Sequence, residues 1–147
     1  MKYYETQYSE YVNALHNYNL HNKYDKIFDN IEFKNLDNCI LYGAAGIGKY
    51  SQSLNIINNY SDTNLSYEKK VIIPVQNKPD YIIKISDIHF EVDMELLGCN
   101  ARTLWQDIYS QIVDIIMARP SKRGIILCKN FHNIHSELLD SSYCYLN

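Results

Sequence analysis

Three features of this 147-residue chain predict an α/β fold. The run C-I-L-Y (39–42) ends in a glycine-rich turn that opens a helical pattern, the order expected of a buried strand feeding a helix. Leu104, Trp105, Ile108, Ile112, Ile115 and Ile116 recur at spacings of three and four, which marks one face of a helix. The runs K-V-I-I-P-V, Y-I-I-K-I-S and G-I-I-L-C are short and rich in β-branched residues, as strands are. The chain has one domain's length, and its 46% hydrophobic content suffices for a core, although 14 tyrosines make much of that content amphipathic.

Taken in order, Tyr8, Val12 and Leu15, then Leu20, Tyr24, Ile27, Phe28 and Ile31, predict two short helices broken near residues 17–19. Residues 39–42 are expected as a buried strand, and Ser51, Leu54, Ile56 and Ile57 as a helix beyond the turn. Residues 58–66, rich in Asn, Ser and Asp, read as loop. The two Ile-rich runs flanking Q-N-K-P-D form the arms of a hairpin, and Pro74 places its arm at a sheet edge. Residues 88–92 alternate as a strand, and a long helix runs from Asn100 toward Pro120. Residues 124–128 make a further buried strand, followed by an amphipathic stretch with Leu138, Leu139, Tyr143 and Leu146. No repeat or low-complexity linker divides the chain.

The net charge of −3 and the pI near 5.9 give no global attraction to nucleic acid. Any DNA contact would need a local patch or partner subunits. Lys69–Lys70 and Lys122–Arg123 are too short to form such a patch. The start M-K-Y-Y-E-T has no apolar signal-peptide core, and no 18-residue apolar run offers a membrane span. Four irregularly spaced cysteines, Cys39, Cys99, Cys128 and Cys144, point to free thiols in a reducing compartment, cytosolic or nuclear.

The residues with a chemistry of their own lie in L-Y-G-A-A-G-I-G-K-Y-S (41–51). Gly43, Gly48 and Lys49 fit G-x-x-x-x-G-K-[ST], in which backbone N–H groups and a helix N-terminus cradle phosphates and the lysine reaches the terminal oxygens. The candidate phosphate site is therefore Gly43, Ala44, Ala45, Gly46, Ile47, Gly48, Lys49, Tyr50 and Ser51. Tyr50 stands where a short hydroxyl should hold Mg²⁺, so Ser51 is the metal candidate if the register shifts by one residue. Hydrolysis would also need carboxylates after a neighbouring strand, but G-I-I-L-C is followed by K-N-F-H-N-I-H, with no acid before Glu137. Cys128, His132, His135 and Cys144 are zinc-ligand types at a spacing that matches no common finger. Cys128 is expected to point into the core instead. Trp105, Tyr109 and the isoleucines of their helix read as core, and Asp87, Glu91, Asp93 and Glu95 as a solvated face.

In sequence order, the glycine-rich loop, the hairpin segment, H-F-E-V-D with its long helix, and G-I-I-L-C-K-N-F-H-N-I-H-S-E-L-L make residues 20–147 resemble the clamp-loader branch of the AAA+ ATPases. The likeness is to small subunits of replication factor C in the divergent form of large DNA viruses. One small-subunit type carries a bulky residue and then a hydroxyl after its lysine, as in G-K-Y-S (48–51).

The resemblance implies a P-loop NTPase, AAA+-like, with a three-layer α/β/α core and central strand order 5-1-4-3-2. It implies ATP and Mg as cofactors, other clamp-loader subunits as partners, and indirect contact with the sliding clamp and primer–template DNA in an infected host cell. Asn130 and His132 fall where the family carries Walker B carboxylates, so the implied subunit binds ATP but is deficient in hydrolysis. The family's sensor strand, arginine finger, lid and collar would lie beyond Asn147. The expected organisation is an N-terminal helical segment, 1–36, and a partial nucleotide-binding domain, 37–147, incomplete at its C-terminus. On that expectation residues 39–42 lack a neighbour in the sheet unless they pair directly with 124–128. The rival readings are a protein-interaction remnant that binds no nucleotide and a standalone nucleotide-binding protein.

Overall fold

The computed structural model describes residues 5–75 and 79–145. They form an α/β protein with one four-stranded mixed sheet. The chain divides into two compact units, residues 1–68 with 86–88, and residues 69–85 with 89–147. The expected hairpin turn falls on residues 76–78 and the expected apolar Leu146 near the C-terminus, both outside the described residues.

The first unit is helical. Helix α1 (Tyr8–Asn17) starts where the Glu10 carboxylate accepts from the Gln7 N–H at 3.0 Å, which satisfies one of the donors a helix start leaves open. Helix α2 (Asp25–Phe28) is a single turn, and helix α3 (Lys49–Asn58) follows the glycine-rich loop. The break expected at 17–19 is present, because α1 ends at Asn17. Tyr8 and Val12 of α1 and Leu54 and Ile57 of α3 are buried, and the two helices pack together. The polar loop beyond α3 is held by one carboxylate. Asp87 accepts from the Ser61 hydroxyl at 2.8 Å and from the Asp62 and Thr63 N–H groups at 2.9 and 3.2 Å, while Leu65 at its end is buried.

The second unit holds the sheet, in the order β1 (Lys69–Ile73), β2 (Tyr81–Ile85), β3 (His89–Asp93), β4 (Ile125–Lys129). The first two pairings are antiparallel and β3–β4 is parallel. Strand β1 lies at the edge, as Pro74 requires. Helix α4 (Ala101–Ala118) connects the parallel pair and lays Leu104, Trp105, Ile108 and Ile112 against Ile83, Ile85, Phe90 and Val92. Helix α5 (Ser136–Ser142) adds Leu138 to this core. A Cβ at Gly124 would sit 2.7 Å from Ile116 Cδ1, so the approach of α4 to the start of β4 demands glycine.

Three expectations fail. Residues 124–128 are not a fully buried strand: β4 lies at the second edge of the described sheet, paired on one side only, and all its residues are half-buried. Residues 39–42 are not a buried strand. They belong to no ladder, and Ile40 and Tyr42 are 84% and 97% exposed, because no described strand lies beside them to take up their N–H and C=O groups. Nor do they pair with 124–128. The acidic stretch is not a solvated face either: Glu91, on a strand buried on both faces, is only 5% exposed, and Asp87 is an anchor of the loop.

Candidate phosphate-binding loop

The loop and its helix lie within the first unit. Gly46 and Gly48 adopt left-handed conformations, φ +78° and +88°, which glycine enters without the steric cost other residues bear. Gly48 is the residue from which α3 starts, and Gln52 N–H bonds to its carbonyl at 3.0 Å. At Gly43 a Cβ would meet only the tip of the exposed Ile47 side chain, which can turn aside, so the local geometry asks for glycine at the two left-handed positions, Gly46 and Gly48.

Lys49 is the first residue of α3. Its ammonium curls back over the loop and donates to the Gly43 carbonyl at 2.7 Å and the Ala44 carbonyl at 2.5 Å. The positive charge thus lies at the mouth of the loop, beside a helix start whose first N–H groups face outward. An anion entering here gains the ammonium and the helix end together, once the lysine exchanges its carbonyl partners for the ligand.

Tyr50 has a packing role. Its ring meets the Tyr11 ring of α1 edge-on, at 5.0 Å between centroids and 86° between planes. That contact ties the Tyr50 side chain to α1. Ala44, Ala45 and Ile47 are exposed at the rim and contribute backbone only. His21, which the sequence reading passed over, places Nε2 3.2 Å from the Ile47 carbonyl and so braces the loop from the α1–α2 connection. Together with Tyr24, Tyr42, Lys49 and Gln52 it lines a cavity of about 60 Å³ beside the loop. A histidine within a polar stretch twenty-odd residues before a glycine loop carries no spacing signal, so only the fold reveals it.

In the second unit, the strand tail K-N-F-H also has a defined geometry. Asn130, left-handed at φ +51°, ends β4 and donates through Nδ2 to Asp93 Oδ2 at 3.0 Å. Asp93 Oδ1 accepts from Glu95 N–H at 3.1 Å. This carboxylate, at the C-terminal end of β3, thus ties the turn that follows it to the tail of β4. Tyr81 binds the Asp93 backbone in both senses, its hydroxyl donating to the carbonyl at 2.8 Å and accepting from the N–H at 2.9 Å. Burial chiefly pushes that phenol up to about 12.

Cys128 faces the core, and burial pushes its thiol up to about 11. His132 and His135 are exposed, and the described residues contain no group of three or more His, Cys, Asp or Glu able to hold a metal ion. All four cysteines are free thiols. No described helix is long and apolar enough to cross a membrane. No protein-family model matches this chain, and no curated protein matches it.

Proposed function

We infer that the chain is an ATP-binding subunit of clamp-loader type whose phosphate site is residues 43–51. Left-handed Gly46 and Gly48, immediately followed by Lys49 at the start of a ten-residue helix, carry this reading, because that arrangement aims backbone N–H groups and one compact cation at a single point. Mg²⁺ would arrive on the nucleotide phosphates and meet Ser51. The partners on this reading are other clamp-loader subunits and, through them, the sliding clamp and primer–template DNA. The finer fold reading, an AAA+-like P-loop core in three α/β/α layers, draws support from the parallel neighbours β3 and β4 joined through α4.

Hydrolysis by the chain alone is not expected. The tail of β4 offers Lys129, Asn130 and His132 in place of a metal-holding and water-orienting pair. Titration of a fluorescent ATP analogue into wild type and Lys49→Ala tests the site: the variant should bind at least about tenfold more weakly, the scale of a lost charge-assisted contact. Equal binding by the two proteins would remove Lys49 from the site.

A second reading takes the loop as a turn only, in a protein-interaction subunit that binds no nucleotide. The exposed run 39–42 favours it, since an apolar segment of strand-like composition at the surface suits a partner chain. Absence of nucleotide binding by the folded wild-type protein would select this reading.

A further inference from the structure

One buried polar atom beside the phosphate loop has no partner among the described residues. Gln52 of α3, only 5% exposed, donates through Nε2 to Asn19 Oδ1 at 2.7 Å, yet its buried Oε1 accepts no hydrogen bond. An acceptor in that position has given up water without gaining a donor, which is costly.

The orientation of this amide is fixed from behind. Asp25, a carboxylate and therefore an acceptor only, takes Asn19 Nδ2 at 3.3 Å and is itself held by Asn55 Nδ2 at 2.8 Å. That turns Asn19 Oδ1 toward the two donors it serves, the His21 N–H at 2.8 Å and Gln52 Nε2. Flipping the Gln52 amide would set two oxygens against each other. Gln52 must therefore present its nitrogen to Asn19 and keep its oxygen for another donor.

The space that Gln52 lines is the cavity of about 60 Å³ beside the loop. It has room for about two waters at roughly 30 Å³ each, so it takes the edge of a ligand and not a whole one. Tyr24 and Tyr42, 43% and 97% exposed, line it together with Lys49 and the apolar Leu41 and Ile47. Exposed aromatic rings suit a flat nucleobase, whose π-face stacks on them. Mostly apolar walls with a few polar groups to fix orientation are the usual make-up of a small-molecule site.

We infer that this cavity receives the amino edge of a nucleotide's base and that Gln52 is the residue that selects it. The inference rests on the phosphate-loop reading above, because a triphosphate held by Lys49 and the loop is what brings a base here. The Gln52 N–H bonds to the Gly48 carbonyl at 3.0 Å, so the residue that reads the base lies one helical turn from the loop that holds the phosphates. In the adenine of a nucleotide the N–H donors belong to the 6-amino group, which gives Oε1 its partner. A base with a carbonyl at that place would set oxygen against oxygen. Tyr42, which buries almost none of its surface in the free chain, becomes a wall of the site.

Competition titrations of the full chain with ATP, with purine riboside triphosphate, which differs from ATP only in lacking the 6-amino group, and with inorganic tripolyphosphate test this. Wild type should bind ATP about tenfold more tightly than the purine riboside analogue, the scale of one hydrogen bond to an otherwise open buried acceptor. In Gln52→Met, which keeps the length of the side chain and loses the acceptor, the two nucleotides should bind alike. Equal affinity of wild type for ATP and the analogue would overturn the inference and show that water serves Oε1, while tripolyphosphate binding to the same protein would leave the phosphate reading standing. A preference for ATP that persists in folded Gln52→Met would also overturn it. If neither nucleotide nor tripolyphosphate binds, both readings fall together. Circular dichroism establishes that the variant is folded, and should Gln52→Met not fold, the comparison of ATP with the analogue on wild type decides.

Discussion

C-I-L-Y (39–42) and G-I-I-L-C (124–128) read almost alike, two short apolar runs each with one cysteine and each beside a glycine. They end up in opposite environments. The second supplies most of β4, paired in parallel register with β3 from His89↔Ile125 to Asp93↔Lys129 and packed through Ile126 and Cys128 on the α4 core. The first lies outside the sheet, and its Ile40 and Tyr42 are the most exposed large apolar residues described. A strand is a relation between two segments: the backbone groups of four or five residues are stabilised only when a neighbour completes their hydrogen bonds. Apolar composition makes a run capable of that relation without supplying the partner.

The largest expected contrast is in amide hydrogen exchange. Amides within 39–42 should exchange at close to the unprotected rate, and those amides of β4 that are bonded to β3 orders of magnitude more slowly, since ladder amides open only with larger-scale unfolding. Comparable protection in the two runs would end the distinction. Next in size is the cost of truncation. Phe90→Ala, at a fully buried site on the neighbour of β4, should lower stability in urea unfolding by about 3–5 kcal/mol. Tyr42→Ala should stay within about 0.5 kcal/mol, as a surface change does.

Tyr81→Phe comes third. It leaves the Asp93 N–H and carbonyl without the hydroxyl that serves both, and the expected loss is about 1–3 kcal/mol in the same assay.

Alkaline pH sharpens the comparison with a smaller effect. The Cys128 thiol rises from 9.0 to about 11 and the Tyr81 phenol from 10.0 to about 12, both chiefly through burial. The unfolded chain therefore releases these protons first as pH climbs. It binds fewer protons than the native state between pH 9 and 12, so stability is full below 9 and falls across that window. Thermal melts from pH 8 to 11 should show the decline, reduced in Tyr81→Phe. Thiol alkylation at pH 8 is the matching chemical test: exposed Cys39 should react quickly and Cys128 slowly, because the buried thiol is both shielded and protonated. A fast-reacting Cys128 would mean that β4 opens easily.

Most of the fold was legible where the signal is local. The periodicity of Leu104 to Ile116 marked α4, the paired Ile-rich runs marked the β1–β2 hairpin, and Pro74 put β1 at the edge. The loop's glycines were legible too, since the left-handed φ at Gly46 and Gly48 is a property of those residues. The roles of His21 and Asp87 were not, because each acts on residues some 26 positions away, and no spacing rule links a brace to what it holds. Tyr50 looked like a defect in a motif until its ring was seen against Tyr11.

By itself, then, the amino-acid sequence determined helices, hairpin, turn glycines and the position of the one lysine at the loop, all consequences of interactions within a few residues. The tertiary structure alone decided which apolar runs became strands, that Glu91 is buried rather than solvated, and that His21 and Asp87 brace loops far from them in the chain. Burial, pairing and bracing depend on which distant segments meet, and that is settled by the free energy of the whole packed unit.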